Sequence, residues 1–135
     1  MQRNKYLDDL GIPLKDYGTN FIADDDKRAD TWKKEREIYG FDGRECWNLD
    51  RTFLEWLYSR FMKYKEDADK MIVLSGPGSR DFEYKGRTID QAEAIDIVLN
   101  ECKTLLLDNN YSMSNKYLSK ETMILLGELM PCMWW

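Results

Sequence analysis

Between Asp42 and Asp50 the sequence gathers three carboxylates, a guanidinium and an indole: Asp42, Arg44, Glu45, Trp47 and Asp50. Carboxylates this close can serve general acid–base chemistry or hold a divalent cation. Arg44 carries the planar fork that grips a phosphate or a carboxylate, and Trp47 offers a flat face for stacking. The cluster reads in two ways. As a site, Arg44, Glu45, Trp47 and Asp50 bind a nucleotide or a peptide. As a helix junction, Glu45 and Asp50 cap, Arg44 pairs with a neighbour, and Trp47 packs.

Other chemistry is thinly represented. The chain has no histidine, which removes the commonest general base and every Ser-His-Asp or Cys-His arrangement. Cys46, Cys102 and Cys132 form no CxxC pair, so a zinc site is not expected; they read as reduced, mostly buried thiols. Asp24, Asp25 and Asp26 invite a metal-site or charge-mimicry reading, but three consecutive carboxylates point in different directions. They equally suit a solvated helix start, where negative charge meets the positive end of the macrodipole. Gly76-Pro77-Gly78 lacks the spacing and the lysine of a phosphate loop and reads as a surface turn. No metal and no cofactor is expected.

Helices must position the Asp42–Asp50 cluster. Leu49, Phe53, Trp56, Leu57, Phe61 and Tyr64 recur at helical spacing and predict a long central helix over 49–67. Its wet face would carry Arg51, Glu55, Ser59, Lys63 and Glu66. A shorter helix is predicted over 27–39, mostly exposed, stopped by Gly40 in a left-handed conformation. Asp42-x-x-Glu45 and Asp90-x-x-Glu93 have capping-box spacing. The latter opens a helix over 90–107 with Ile95, Val98, Leu99, Cys102, Leu105 and Leu106 on one face. Ser119 caps a last helix over 119–130 bearing Ile124, Leu125, Leu126 and Leu129, ended by Pro131. Phe82 to Ile89, with Lys85-Gly86 at the turn, predicts one small β-hairpin. The expected fold is mainly α, a compact single-domain helical bundle spanning 1–135, with 1–21 an irregular arm packed on the body. The expected core is Phe53, Trp56, Leu57, Phe61, Ile95, Val98, Leu99, Cys102, Leu125 and Leu129.

The chain has 135 residues and a net charge of −5, which argues against direct nucleic-acid binding. No apolar run approaches the ~18 residues of a membrane span. The first residues lack a signal-peptide apolar core, so a cytoplasmic location is expected. The tail ends in Trp134 and Trp135, which should dock on the central helix or, alternatively, meet across a homodimer.

The block GFDGRECWNLDRTFLEWLYSRFMKYKE, together with FEYKGRTIDQAEAI and the terminal MPCMWW, resembles a family of small phage and prophage proteins of Gram-positive bacteria. The matching positions are Trp32 to Lys34, Gly40 to Asp42, Arg44, Glu45, Trp47 to Asp50, Thr52, Phe53, Trp56 to Tyr58 and Met133 to Trp135. Cys46 departs from the pattern, standing where a small polar residue is more usual. The resemblance covers nearly the whole chain and implies phage origin without implying a reaction. In that setting a small acidic accessory protein is expected to bind and inhibit a host defence protein, in the manner of an anti-CRISPR or another anti-defence inhibitor, in the cytoplasm of the host bacterium. The alternatives are a small-ligand binder, such as a sponge for nucleotide signals, and a structural or regulatory phage protein.

Overall fold

The computed structural model describes residues 3–17, 27–70, 80–108 and 116–133. The fold is mainly α with one two-stranded antiparallel hairpin. Asp24–Asp26, Gly76–Gly78, Trp134 and Trp135 lie outside the described residues, and so do the readings placed on them. Chain packing divides the protein into two compact units, Met1–Trp56 and Leu57–Trp135.

The first unit opens with helix α1, Lys5–Asp9, whose orphan N–H groups at Tyr6 and Leu7 donate to the Asn4 side chain. A 3-10 turn, Leu14–Asp16, follows. Leu7, Ile12 and Tyr17 are buried, so the described part of the arm, residues 3–17, turns apolar side chains inward, and it contains one helical turn. Helix α2, Ala29–Tyr39, ends at Gly40, whose φ of 82° is the left-handed stop that its sequence predicts. Only Trp32 of this helix is buried. Helix α3, Gly43–Trp47, starts on Asp42, which accepts from the Arg44 N–H.

Helix α4, Leu49–Lys70, runs through the boundary between the units and is three residues longer than the predicted span. Its buried residues correct the sequence reading. Leu54, Leu57, Tyr58, Phe61 and Ala68 are buried, whereas Leu49 and Trp56 are exposed and Phe53 is half-buried. At about 100° of rotation per residue, the buried set spans about 100° of the helix circumference. Leu49, Phe53 and Trp56 lie on a separate arc centred about 120° away. The helix therefore carries two apolar arcs, and the predicted stripe merged one with the edge of the other. Glu55 and Ser59, expected to be wet, are buried as well. Arg51 lies 3.5 Å from Glu55 and supplies the compensating charge one helical turn away.

In the second unit, β1 (Asp81–Tyr84) pairs with β2 (Arg87–Asp90), and Phe82 stands opposite Ile89. Both are buried on one face while Glu83 and Thr88 are exposed on the other. Lys85 and Gly86 both have positive φ, 48° and 77°, the backbone that a tight two-residue hairpin turn requires. Asp90 ends β2 and caps α5, Gln91–Leu106, by accepting from the Glu93 N–H at 2.8 Å. Ser119 caps α6, Lys120–Leu129, through the Thr122 N–H at 3.1 Å. Pro131 falls in a 3-10 turn, Met130–Cys132, that closes it. Ile95, Val98, Leu99, Cys102, Leu125 and Leu129 form the core as expected. Ile124 is exposed, because four consecutive apolar positions cannot share one face of a helix and Leu125 and Leu126 take the inward side. Glu101 ties α5 to the start of α6: its carboxylate accepts from the Ser119 N–H and from the Thr122 hydroxyl. Tyr84 Oη lies 3.3 Å from the same Thr122 hydroxyl, which draws the hairpin into the network.

Candidate interaction surface

The polar cluster read from the sequence splits: Asp42 and Arg44 turn inward, while Trp47 and Asp50 stay exposed. Arg44 is 1% exposed and meets the Asp42 carboxylate through both arms of its fork, Nε to Oδ1 at 3.0 Å and Nη2 to Oδ2 at 2.8 Å. Arg36, near the end of α2, donates to Asp42 Oδ2 at 2.5 Å across the Gly40 turn. Burial pushes the Asp42 carboxyl up, but hydrogen bonds from Arg44 and Arg36 outweigh it and hold the group at about 2. Glu35 accepts from the Gly43 N–H at 2.6 Å, which pins the start of α3 to α2 a second time.

Aromatic rings complete this junction. The Arg44 guanidinium lies 4.4 Å from the centroid of the Trp32 ring. Arg28 lies 5.2 Å from Trp32 and 5.3 Å from Trp47, so two guanidinium groups and two indoles form one connected set. Glu45 contributes its backbone carbonyl, which accepts from the Thr52 hydroxyl at 3.3 Å. Asp50 is exposed in the first turn of α4. Of the residues proposed as a binding set, the structure joins Arg44 and Trp47 through Trp32 and Arg28. Asp42, Arg36, Glu35, Trp32 and Arg28 were missing from that set. Asp42 reads in the sequence as a candidate acid and as a cap, and Trp32 enters only through the resemblance; Arg28, Glu35 and Arg36 carry no signal.

For Asp42 and Arg44 the arrangement is a helix junction, as the second reading of the cluster has it. Arg44 presents no open fork, because its donors face Asp42. Asp42, held near 2, remains an anion at neutral pH and is a poor proton acceptor. Cys46 is exposed, against the expectation of buried thiols, whereas Cys102 is buried and its thiol is pushed up to about 12 by burial and by the charge of Glu101. Among the described residues, no group of three or more His, Cys, Asp or Glu side chains is placed to hold a metal ion. Among the same residues, no helix is long and apolar enough to cross a membrane.

What the first unit does present is apolar. Of the eleven exposed large apolar residues among those described, six lie between Ile38 and Trp56: Ile38, Tyr39, Phe41, Trp47, Leu49 and Trp56. Two local groups are defined by geometry. Tyr39 and Phe41 flank the Gly40 turn with ring centroids 6.2 Å apart. Phe53 and Trp56 stack on α4 at 6.3 Å with their planes 13° apart, one turn beyond Leu49.

A scan with protein-family models gives no match for this chain, and comparisons with curated proteins and with solved structures give none either.

Proposed function

We propose that this chain is a non-catalytic interaction protein, encoded by a phage, that binds and inhibits a protein of a bacterial defence system. The observation that carries the binding half is the crowding of exposed large apolar side chains into the Ile38–Trp56 stretch. Burying one such side chain contributes about 1.5–3 kcal/mol, so leaving several in water is costly unless another surface covers them. The phage setting and the defence target, anti-CRISPR or other, rest on the resemblance of the Gly40–Tyr58 block. The rival reading, a sponge for nucleotide signals, needs a pocket ringed by arginine and aromatic side chains, and one arginine it could draw on, Arg44, is already held by Asp42.

The test expresses the chain in a bacterium whose defence system restricts a phage and measures plating efficiency. Wild-type protein is expected to restore plating. A Tyr39→Ser/Trp47→Ser/Trp56→Ser variant with unchanged circular dichroism is expected not to. Equal rescue by the variant would overturn the surface assignment, and no rescue by wild type in strains covering the major defence classes would overturn the inhibitor reading.

A further inference from the structure

Asp42 and Gly43 form the single Asp-Gly pair of the chain, and the sequence has no Asn-Gly pair. An Asp-Gly pair is prone to cyclise, because glycine has no Cβ to keep its amide nitrogen away from the neighbouring side-chain carbonyl. In that reaction the Gly43 nitrogen bonds to Asp42 Cγ, the amide proton and the Cγ hydroxyl leave together as water, and a succinimide ring results. Water then opens the ring at either carbonyl. Opening at Cγ restores Asp42. Opening at the main-chain carbonyl leaves isoaspartate, with the chain running through Cβ and Cγ. The product has the mass of the starting chain, a main chain one carbon longer and a carboxylate branch one carbon shorter.

The folded junction opposes each requirement of ring closure. The carboxyl must be neutral to lose its hydroxyl, yet the Arg44 fork and Arg36 hold Asp42 as an anion. The ring needs the Cα–Cβ bond of Asp42 eclipsed with the C–N bond to Gly43, and at a ψ of 170° the two are staggered. Turning the chain there would swing away the Gly43 N–H, which donates to Glu35 Oε2 at 2.6 Å. Asp42 is 6% exposed, so the water that opens a ring is kept off as well. Glu35 and Arg36 both lie on α2, so this protection lasts only while α2 and α3 stay together. We propose that Asp42–Gly43 is an isoaspartate-forming site that the α2–α3 junction seals and that local opening of the junction exposes. The change records the opening covalently. With its altered branch, position 42 no longer both caps α3 through the Arg44 N–H and meets the Arg44 fork, so the junction does not re-form.

Peptide mapping of the full-length protein after incubation at neutral pH tests this. Trypsin releases Glu37–Arg44, in which Asp42 is the only aspartate. Isoaspartate in that peptide is read by chromatographic separation and by labelling with an isoaspartate methyltransferase. The samples are folded wild type, wild type in urea past its unfolding midpoint, folded Arg36→Gln, and Gly43→Ala in urea. Isoaspartate is expected to accumulate on the order of a hundredfold faster in urea than in the folded protein, since only the open chain reacts. Arg36→Gln, with the circular dichroism of wild type, is expected to form it about tenfold faster than folded wild type, the rise in open population that losing one charged hydrogen bond implies. Gly43→Ala adds a Cβ that meets only the end of the Glu35 side chain at 3.4 Å, and in urea it is expected to form little. Equal rates for folded and unfolded wild type would overturn the seal. No isoaspartate at position 42 in urea would overturn the site. An Arg36→Gln rate equal to that of folded wild type would overturn the junction as its gate.

Discussion

Removing the Asp42 carboxylate isolates the interaction that holds α2 and α3 in register. Asp42→Asn keeps a side chain that caps α3, since Asn is as good an N-cap as Asp, but it leaves Arg44 buried against a neutral group. Removing one partner of a buried ion pair costs about 3–5 kcal/mol, and Arg44 is 1% exposed, so this range applies in full. The proton linkage gives a second and independent magnitude. The Asp42 carboxyl lies at about 2 in the folded protein against 3.8 for the free group. At ~1.4 kcal/mol per unit, that difference contributes about 2 kcal/mol of stability. The folded-state value is depressed, so the contribution is present above about pH 4 and is lost as pH falls toward 2.

Urea titration followed by tryptophan fluorescence reads both, because Trp32 sits directly beneath Arg44. Wild type is expected to lose about 2 kcal/mol more than Asp42→Asn between pH 5 and pH 2, while at pH 7 the variant is expected to lie about 3–5 kcal/mol below wild type. The double variant Asp42→Asn/Arg44→Met should recover much of the loss, since an apolar pair of similar volume often replaces a buried ion pair at no net cost. A deficit under ~1 kcal/mol at pH 7, or parallel acid curves for the two proteins, would refute the account of Asp42 as the locked centre of the junction.

Other outcomes follow from the same packing. Trp56→Ala is expected to cost about 1–2 kcal/mol, since the indole is partly covered and stacked on Phe53, while Leu57→Ala costs about 2–5, a contrast that thermal or urea melts of the two variants check directly. In native protein, Ellman's reagent should titrate Cys46 promptly and Cys102 only after unfolding, because Cys102 is buried and its thiol lies near 12; rapid labelling of Cys102 would contradict its place in the core. Gly40→Ala should cost about 1 kcal/mol: the added Cβ meets open space, so the whole penalty comes from the positive φ, and melting measures it. Thr122→Val, which keeps the shape and removes the hydroxyl that donates to Glu101, should cost about 1–3 kcal/mol in the same assay.

Element boundaries were legible because each is set by a local rule. Gly40, Asp90, Ser119 and the Lys85-Gly86 turn act through their own backbone or through an N–H three residues away. The arc of α4 that is buried was not legible. Leu57 lies at the edge of the buried arc nearest Phe53, and the large rings of Phe53 and Trp56 drew the stripe toward the wrong arc. The choice is made by the elements that pack against the helix, and helical spacing does not contain them. Arg36 with Asp42 and Glu101 with Ser119 were hidden for a related reason. Each pair closes across a turn or loop whose angle no short-range pattern specifies.

The inversion at residues 42–56 is the most consequential of these differences. Residue type alone sends Arg44 outward to a ligand and Trp56 inward to a core. The energies of the assembled chain run the other way. Burying a lone guanidinium costs several kcal/mol, yet Arg44 has a bidentate carboxylate, which a further hydrogen bond from Arg36 helps to keep ionised, and an indole face to cover its plane. Each of those partners is supplied by an adjacent turn of chain, so the fold itself accounts for Arg44. Leu49 and Trp56 run the other way: they are 63% and 41% exposed, while Leu54 and Leu57 fill the inward arc. A lysine or a glutamate at either exposed position would serve the isolated helix as well and would avoid apolar surface in water. Covering Leu49 and Trp56 is what the protein-binding role proposed above would add to the packing of the fold.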